Sequence, residues 1–415
     1  MIVEILSTGD EIRSGAVTDT NASYIAQALG EAGISASRHG CVGDDKTMVA
    51  GVLEEISHRA DIALVTGGLG PTVDDITAEA AAEAAGVDLV PDEKALTMIL
   101  AFFTSRKRDI SPSNRKQALL PRGSKVLHNP VGTAPGFSMQ INRCRFFFMP
   151  GVPFEMKKML RDTVIPEMKT IAGSSAVYAV KTISTYGLPE SEVNERCFSF
   201  SAAFPDVTLG LRAVFPEIHI KLYGRNENPE ILNRSLAKAT VWIRERMGIY
   251  LLSTKGHCME TVVGRLLVEK KQTLAVAESC TGGLISHRLT SVAGSSRYFL
   301  FSGVTYSNES KIRILGVSSD VLETFGAVHE KTAESMARGA RSVSGADWAI
   351  STTGIAGPDG GTDEKPVGTV CIGISGPNGD SAKRYQLDFG RRSRNKEIFA
   401  VTAMDVLRRA LLRNP

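Results

Sequence analysis

The hydrophobic pattern falls into three stretches of different rhythm. Up to about residue 171, short apolar runs alternate with segments whose apolar positions recur at helical spacing. "IVEILSTG" (2–9), "DIALVTGG" (61–68) and "RCRFFFMPG" (143–151) have strand length. Helices are expected at "NASYIAQALGEAG" (21–33) and "DITAEAAAEAAG" (75–86), both closed by glycine. A third, "PFEMKKMLRDTVIPEM" (153–168), opens on a proline suited to a first helical turn. Strand, loop and helix in repetition predict a parallel sheet covered on both faces.

Residues 172–250 change register. "AVYAVKTISTYG", "TLGLRAVF" and "EIHIKLYGR" are strand-like, "PESEVNERCFSF" and "PEILNRSLAKATVWIRERMG" helical, giving βαββα. RNA-binding modules share that outline, but the segment has neither a GxxG clamp nor an aromatic stacking motif, so a connector is expected. From 251 onward the alternation returns, with strands at "QTLAVAES", "YFLFSGVTYSN", "WAISTTG" and "VGTVCIGIS". Helices are expected at "HCMETVVGRLLVEKK", "TGGLISHRLTSV", about 308–315, 330–343 and in the C-terminal "RNKEIFAVTAMDVLRRALLR". The expected fold is therefore α/β: two α/β/α domains with mainly parallel sheets, 1–171 and 251–415, joined by a small α+β domain, 172–250.

A length of 415 residues fits several cores rather than one. A net charge of +3 gives no broad basic field, so there is no strong nucleic-acid signal. The two basic clusters, "SRKRD" (105–109) and "GRRSRNK" (390–396), read as solvated helix faces or phosphate contacts. Six scattered cysteines without a CxxC pair suit free thiols in a reducing compartment. No run of 18 apolar residues occurs, so no membrane span and a cytoplasmic protein are expected.

Ligands in open α/β sheets gather beyond the carboxyl ends of the strands. Three polar loops of the last domain lie there: "ESCTGG" (278–283), "TYSNESK" (305–311) and "TTGIAGPDGGTDEKPVG" (352–368), the last unusually long. Ser279 precedes Thr281-Gly282-Gly283, which would open a helix and offer backbone N–H groups to an oxyanion or phosphate. Ser279 is a nucleophile or an N-cap, and Cys280, also at a helix start, competes for the role. None of the seven histidines lies in these loops. Lys311 is then the available base, provided burial or a neighbouring cation strips its proton; otherwise it is a surface lysine. Tyr306 could relay or orient that proton.

The first domain has four loops with converging chemistry: "STGDEI" (7–12), "TGGLGPTVDDIT" (66–77), "NPVGTAPGF" (129–137) and "MPGVPFEM" (149–156). Their glycines permit close approach to phosphates, while Asp10, Glu11, Asp74 and Asp75 could hold a hard divalent cation.

"AESCTGG", "GVTYSNESK", "GAVHEKTAESMA" and "STTGIAGPDGGTDEKPVGTV" together resemble the C-terminal domain of the competence/damage-inducible CinA family; His329 departs from the family's usual serine or asparagine. The resemblance implies a nicotinamide mononucleotide (NMN) deamidase that releases nicotinate mononucleotide and ammonia without a cofactor. Ser279 is its implied nucleophile and Lys311 its base, with Tyr306 beside them. Substrate contacts are expected from Glu278, Thr281, Gly282, Gly283, Asn308, Thr353, Gly354, Gly357, Asp359 and Arg394, with Arg391 and Arg392 as further phosphate candidates.

The N-terminal blocks resemble the molybdopterin-binding fold, and "TGGLGPTVDDIT" with "DTNASYIA" (19–26) favours its CinA type. That type implies an ADP-ribose pyrophosphatase using Mg, Mn or Co. The carried-over positions are Asp10, Glu11, Thr66, Gly67, Gly68, Gly70, Thr133, Gly151 and Glu155, with Asp10, Asp74 and Asp75 for the metal. A homodimer acting on NMN and ADP-ribose is implied. The alternatives are a nucleotide- or pterin-binding N-terminal module beside an active deamidase, or a non-catalytic scaffold in competence or DNA damage response.

Overall fold

The computed structural model describes residues 1–172 and 177–413; the start of the middle segment at 173–176 lies outside them. The chain divides into two compact units, 1–179 with 224–233 and 180–223 with 234–415.

The first unit holds strands β1 (Val3–Thr8), β2 (Arg38–Val42), β3 (Ile62–Thr66), β4 (Leu89–Pro91), β5 (Leu119–Pro121), β6 (Lys125–Leu127), β7 (Gly136–Ile141) and β8 (Cys144–Met149). Six of them form one sheet in the order β2-β1-β3-β8-β7-β6, and β4 pairs with β5 apart from it. The pairings β2–β1–β3–β8 are parallel, and β8–β7–β6 antiparallel. Strands β1 and β3 are buried along their whole length, as continuous apolar runs must be when helices cover both faces. Alternation sends Ala63, Val65, Phe146 and Phe148 to one face, against Val49, Leu53, Ala80 and Ala81. Leu64 and Phe147 go to the other, against Ile25, Leu29 and Met156. The parallel strands end together at Thr8, Thr66 and Met149, so the glycine-rich loops that follow share one edge.

The helix expected over 153–168 runs as Pro153–Met159, a π-helical turn Leu160–Val164, and Ile165–Ala172. Pro166 explains the wide turn: it brings no N–H and its ring crowds the carbonyl four residues back.

In the second unit, β13 (Leu274–Glu278), β14 (Phe299–Val304), β15 (Trp348–Gly354), β16 (Thr369–Gly376) and β17 (Gly379–Gln386) follow the middle segment's β9 (Val177–Thr185), β10 (Val207–Val214), β11 (Glu217–Asn226) and β12 (Leu251–Ser253). The five-stranded sheet runs β14-β13-β15-β16-β17. Within it β13 pairs in parallel with β14 and β15, while β15–β16 and β16–β17 are antiparallel. Only Pro377 and Asn378 separate β16 from β17, so that connection is a hairpin with no room for a crossover, and the loop 355–368 between β15 and β16 holds no crossover helix. One face packs on the helix Glu330–Ser344 through Met336 and Ala340. The other packs on Met259–Lys270, Leu284–Thr290 and Arg392–Arg413, through Val263, Ile285, Phe399 and Met404.

The middle segment has its own sheet, β10-β11-β9-β12, and its residues within the second unit are tied to that unit's C-terminal helix. The Tyr186 hydroxyl lies 2.6 Å from Thr402 Oγ1. Arg408, 2% exposed, donates to the carbonyls of Ile249 (2.7 Å) and Leu251 (3.2 Å) and to Asp405 Oδ1 (2.7 Å). Replacing Arg408 with leucine strips three acceptors of their donor and should lower stability by about 3 kcal/mol, measured by urea denaturation.

Candidate active site

Strand β13 ends at Glu278, and the next backbone N–H, that of Ser279, donates to the Thr352 carbonyl at 2.9 Å. The serine is thereby pinned to the end of β15. Gly282 (φ 58) and Gly283 (φ 90) then turn the chain into the helix Leu284–Thr290 through left-handed conformations that favour glycine. Ser279 is 8% exposed. Cys280 packs in the apolar cluster of Val276, Ile285 and Phe399, and burial pushes its thiol up to about 12. That removes it as the nucleophile.

Lys311 sits in the helix Asn308–Leu315, capped by Ser307, and its side chain is 1% exposed. Its Nζ lies 3.3 Å from Ser279 Oγ, 3.0 Å from the Thr305 carbonyl and 3.1 Å from the Tyr306 carbonyl. No carboxylate among the described residues pairs with it, and burial holds the amine below the ordinary lysine value. A neutral amine has two N–H groups and one lone pair. In that form, with both N–H groups on the carbonyls, the lone pair would face the serine hydroxyl.

Other expected residues are placed differently. Tyr306 contributes its carbonyl, not its phenol: the ring is 61% exposed and its hydroxyl accepts from Arg392 Nη2 at 3.1 Å. Arg392 also donates to the Gly357 carbonyl at 2.7 Å, so it ties two loops together rather than standing on a solvated face. Glu278 is fully buried and turned away from any ligand. Its carboxylate accepts from Ile285 N (3.1 Å), Ser286 N (2.9 Å) and the Ser286 hydroxyl. The N–H groups that the Gly282-Gly283 helix start was expected to offer at those two positions are therefore consumed.

Thr353 is buried with its hydroxyl on the Ala327 carbonyl, and Thr281 with its hydroxyl on Thr352 Oγ1. Gly354 lies against β16, where a Cβ would stand 2.5 Å from the Thr369 carbonyl oxygen. Arg394 stacks over the Phe215 ring. Asn308 and Asp359 are exposed at the helix start and in the long loop. The sequence reading passed over Lys396, whose Nζ approaches Gly282: it would stand 3.3 Å from a Cβ there. The cluster at 105–109 follows the helix Glu93–Ser105, and Arg106 stacks on Phe102.

In the first unit, the glycine-rich loops enclose a cavity of about 420 Å³, within the usual size of ligand pockets. Glu11, Thr66, Gly67, Gly68, Gly70, Asp74, Asp75, Thr133, Gly151 and Glu155 all line it, as their motifs suggested. Asp10 does not; its Oδ1 pairs with Arg13 at 3.0 Å. Asp44, unanticipated, takes its place in the wall and accepts from the Asp10 N–H at 3.0 Å. Burial raises its carboxyl, and repulsion from Glu11, Asp10 and Asp74 raises it further. Glu155 is also raised by burial, against an opposing 2.7 Å bond from Asn129. Gly132 makes room for it, since a Cβ there would lie 2.0 Å from Glu155 Cδ.

The described lining includes carboxylates and no lysine, arginine or histidine. Hard oxygen donors without a counter-charge fit a divalent cation. No three His, Cys, Asp or Glu side chains among the described residues converge into a ready cage, so such an ion would share its shell with the ligand.

Replacing Glu278 with alanine should act through the fold. Loss of the three bonds that hold the helix Leu284–Thr290 should lower stability by about 2 kcal/mol or more, read from urea denaturation.

Comparison with known proteins places both units. The family profile "CinA C-terminal domain" matches residues 257–411, and "Probable molybdopterin binding domain" matches 4–170. A "CinA-like protein" of Desulfosudis oleivorans is 51% identical over 413 residues, spanning 99% of this chain and 100% of the relative. One of Geobacter metallireducens is 44% identical over 412 residues, with 99% and 100% coverage. Among solved structures, a competence/damage inducible protein from Agrobacterium tumefaciens is 38% identical, covering 38% of this chain and 97% of its own, with a TM-score of 0.36. With near full-length identity to such relatives and a profile match in each unit, the chain belongs to the CinA family, joining a molybdopterin-binding-like N-terminal domain to a CinA C-terminal domain.

Proposed function

We propose that the C-terminal domain is a serine–lysine amidohydrolase that converts NMN to nicotinate mononucleotide and ammonia. The observation that carries this is the buried Lys311 amine 3.3 Å from Ser279 Oγ, with no carboxylate to keep it charged. Ser279 Oγ attacks the carboxamide carbon while its proton passes to Lys311 Nζ. The C–N bond then breaks, Lys311 returns the proton to the departing nitrogen, and ammonia leaves an ester on the serine. Water, deprotonated by the same amine, hydrolyses the ester and restores the hydroxyl. The N–H groups of Thr281 and Gly283 find no acceptor among the described residues and remain for the oxyanion.

For the N-terminal cavity the reading is hydrolysis of ADP-ribose to AMP and ribose 5-phosphate, with Mg, Mn or Co. Its carboxylate wall lacks any cation to meet a diphosphate, so the metal must bring that charge. Glu11, Asp44, Asp74 and Asp75 would hold it, and it would neutralise and polarise the phosphoryl oxygens. The family reading also carries a homodimeric, cytoplasmic protein.

Ser279→Ala should abolish ammonia release from NMN and leave ADP-ribose cleavage intact; joint loss would overturn the two-site reading. Lys311→Met should lower the deamidase kcat/KM by about a thousandfold. Because the neutral amine is the working form, wild-type kcat/KM should rise with pH along a limb lying below the free-lysine value of 10.5, then level off. That limb should be missing from the residual rate of Lys311→Met. A chelator should stop release of AMP from ADP-ribose and spare release of ammonia from NMN. Loss of both would contradict the metal-free deamidase.

A further inference from the structure

The carboxylates of the N-terminal cavity fall into two groups. Glu11, Asp44 and Asp74 stand together, with Asp10 behind them, close enough that repulsion from the other three adds to the effect of burial on Asp44. Glu155 stands apart. It lines the same cavity from the helix Pro153–Met159, yet none of those acids acts on it, and no lysine, arginine or histidine among the described residues pairs with it. The basic groups nearest in sequence or on the packed loop are engaged elsewhere or exposed: Lys157 lies over the Tyr24 ring, Lys158 pairs with Asp162, and His128 is exposed.

Its surroundings hold one carboxylate oxygen and leave the other. Asn129, 6% exposed, donates Nδ2 to Glu155 Oε2 at 2.7 Å and to the Ala134 carbonyl at 2.8 Å. The Asn129 Oδ1 accepts from the N–H groups of Val131 (3.2 Å) and Gly132 (3.0 Å). Both ends of that amide are used, so it cannot flip, and the carboxylate has one seat. Gly132 shapes the seat: a Cβ there would lie 2.1 Å from Oε2 and 2.3 Å from Oε1. Oε1 has no hydrogen-bond partner among the described residues, and it is not sealed in, since it keeps accessible surface. A half-buried carboxyl with one fixed and one free oxygen, set apart from the acids that suit a metal, is equipped to move a proton.

We propose that Glu155 is the general base of the N-terminal site, its Oε1 taking a proton from the water that attacks the diphosphate. The inference rests on the ADP-ribose reading above. The water oxygen bonds to one phosphorus as its proton passes to Oε1, the bridging P–O bond breaks, and the second phosphate leaves with that electron pair. Glu155 then gives the proton to solvent. Burial without a neighbouring charge raises this carboxyl, which brings the base nearer to neutral pH.

The test follows ADP-ribose cleavage by the full chain against pH at saturating Mg²⁺, with calorimetric titration by AMP alongside. Because the carboxylate is the working form, wild-type kcat should rise along a limb lying above the free-glutamate value of 4.5, then level off. Glu155→Gln, which keeps an oxygen for Asn129, should lower kcat by about a hundredfold or more and lose that limb. It should still bind AMP within about threefold of wild type. Asn129→Ala removes the bond that favours the ionised form and should move the limb to higher pH. A wild-type profile without a limb above 4.5 overturns the proposal, whether or not the variants fold. So does a Glu155→Gln kcat within about threefold of wild type. Joint loss of AMP binding and cleavage in Glu155→Gln would make the residue a ligand contact and overturns it too. In each of these cases cleavage by the wild type keeps the ADP-ribose reading, whereas a wild type that cleaves no ADP-ribose removes both.

Discussion

A lysine amine sealed from water without a counter-charge is the condition on which the C-terminal domain turns. Desolvation favours the neutral form, and the neutral form alone can take a proton from a hydroxyl. The surroundings position the amine with backbone rather than acids. Lys311 folds back on the carbonyls of Thr305 and Tyr306, just upstream of its own helix. The Thr305 N–H in turn bonds the Glu278 carbonyl at 2.8 Å, one residue before the serine. Ser279 and Lys311 are thus fixed by the ends of adjacent parallel strands, so their separation is a property of the sheet.

The two domains solve opposite electrostatic problems. At Ser279 and Lys311 an amine is desolvated with no carboxylate paired to it; Glu278, next to the serine in sequence, is spent on a helix start. In the N-terminal cavity carboxylates crowd together with no cation in the wall, and burial, then their repulsion, raises Asp44. The first arrangement favours proton transfer and the second attracts positive charge.

Much of this was legible in the chain. The strand-then-glycine pattern located Ser279, and the lack of histidine in the loops pointed to Lys311. The direction of neighbouring side chains was not legible, because partners far away in sequence set it. Tyr306 is drawn outward by Arg392, 86 residues on. Glu278 looked like a ligand contact but, as the last residue of a buried strand, it points into the following helix. Asp44 was missed because β2 is an edge strand exposed at four of five positions, so no apolar run announced the loop behind it. The antiparallel half of the C-terminal sheet depends on connection length, which hydrophobic periodicity does not encode.

The divergence of Ser279 and Cys280 at one turn has a consequence for chemical durability. A thiol in place of the Ser279 hydroxyl, beside the Lys311 amine, would be drawn toward its thiolate and so opened to peroxide and mixed-disulfide formation. Here the group beside Lys311 is a hydroxyl, and the sulfur is packed in the apolar core with its proton firmly held. The working face of the turn thus carries no group that cellular oxidants can consume.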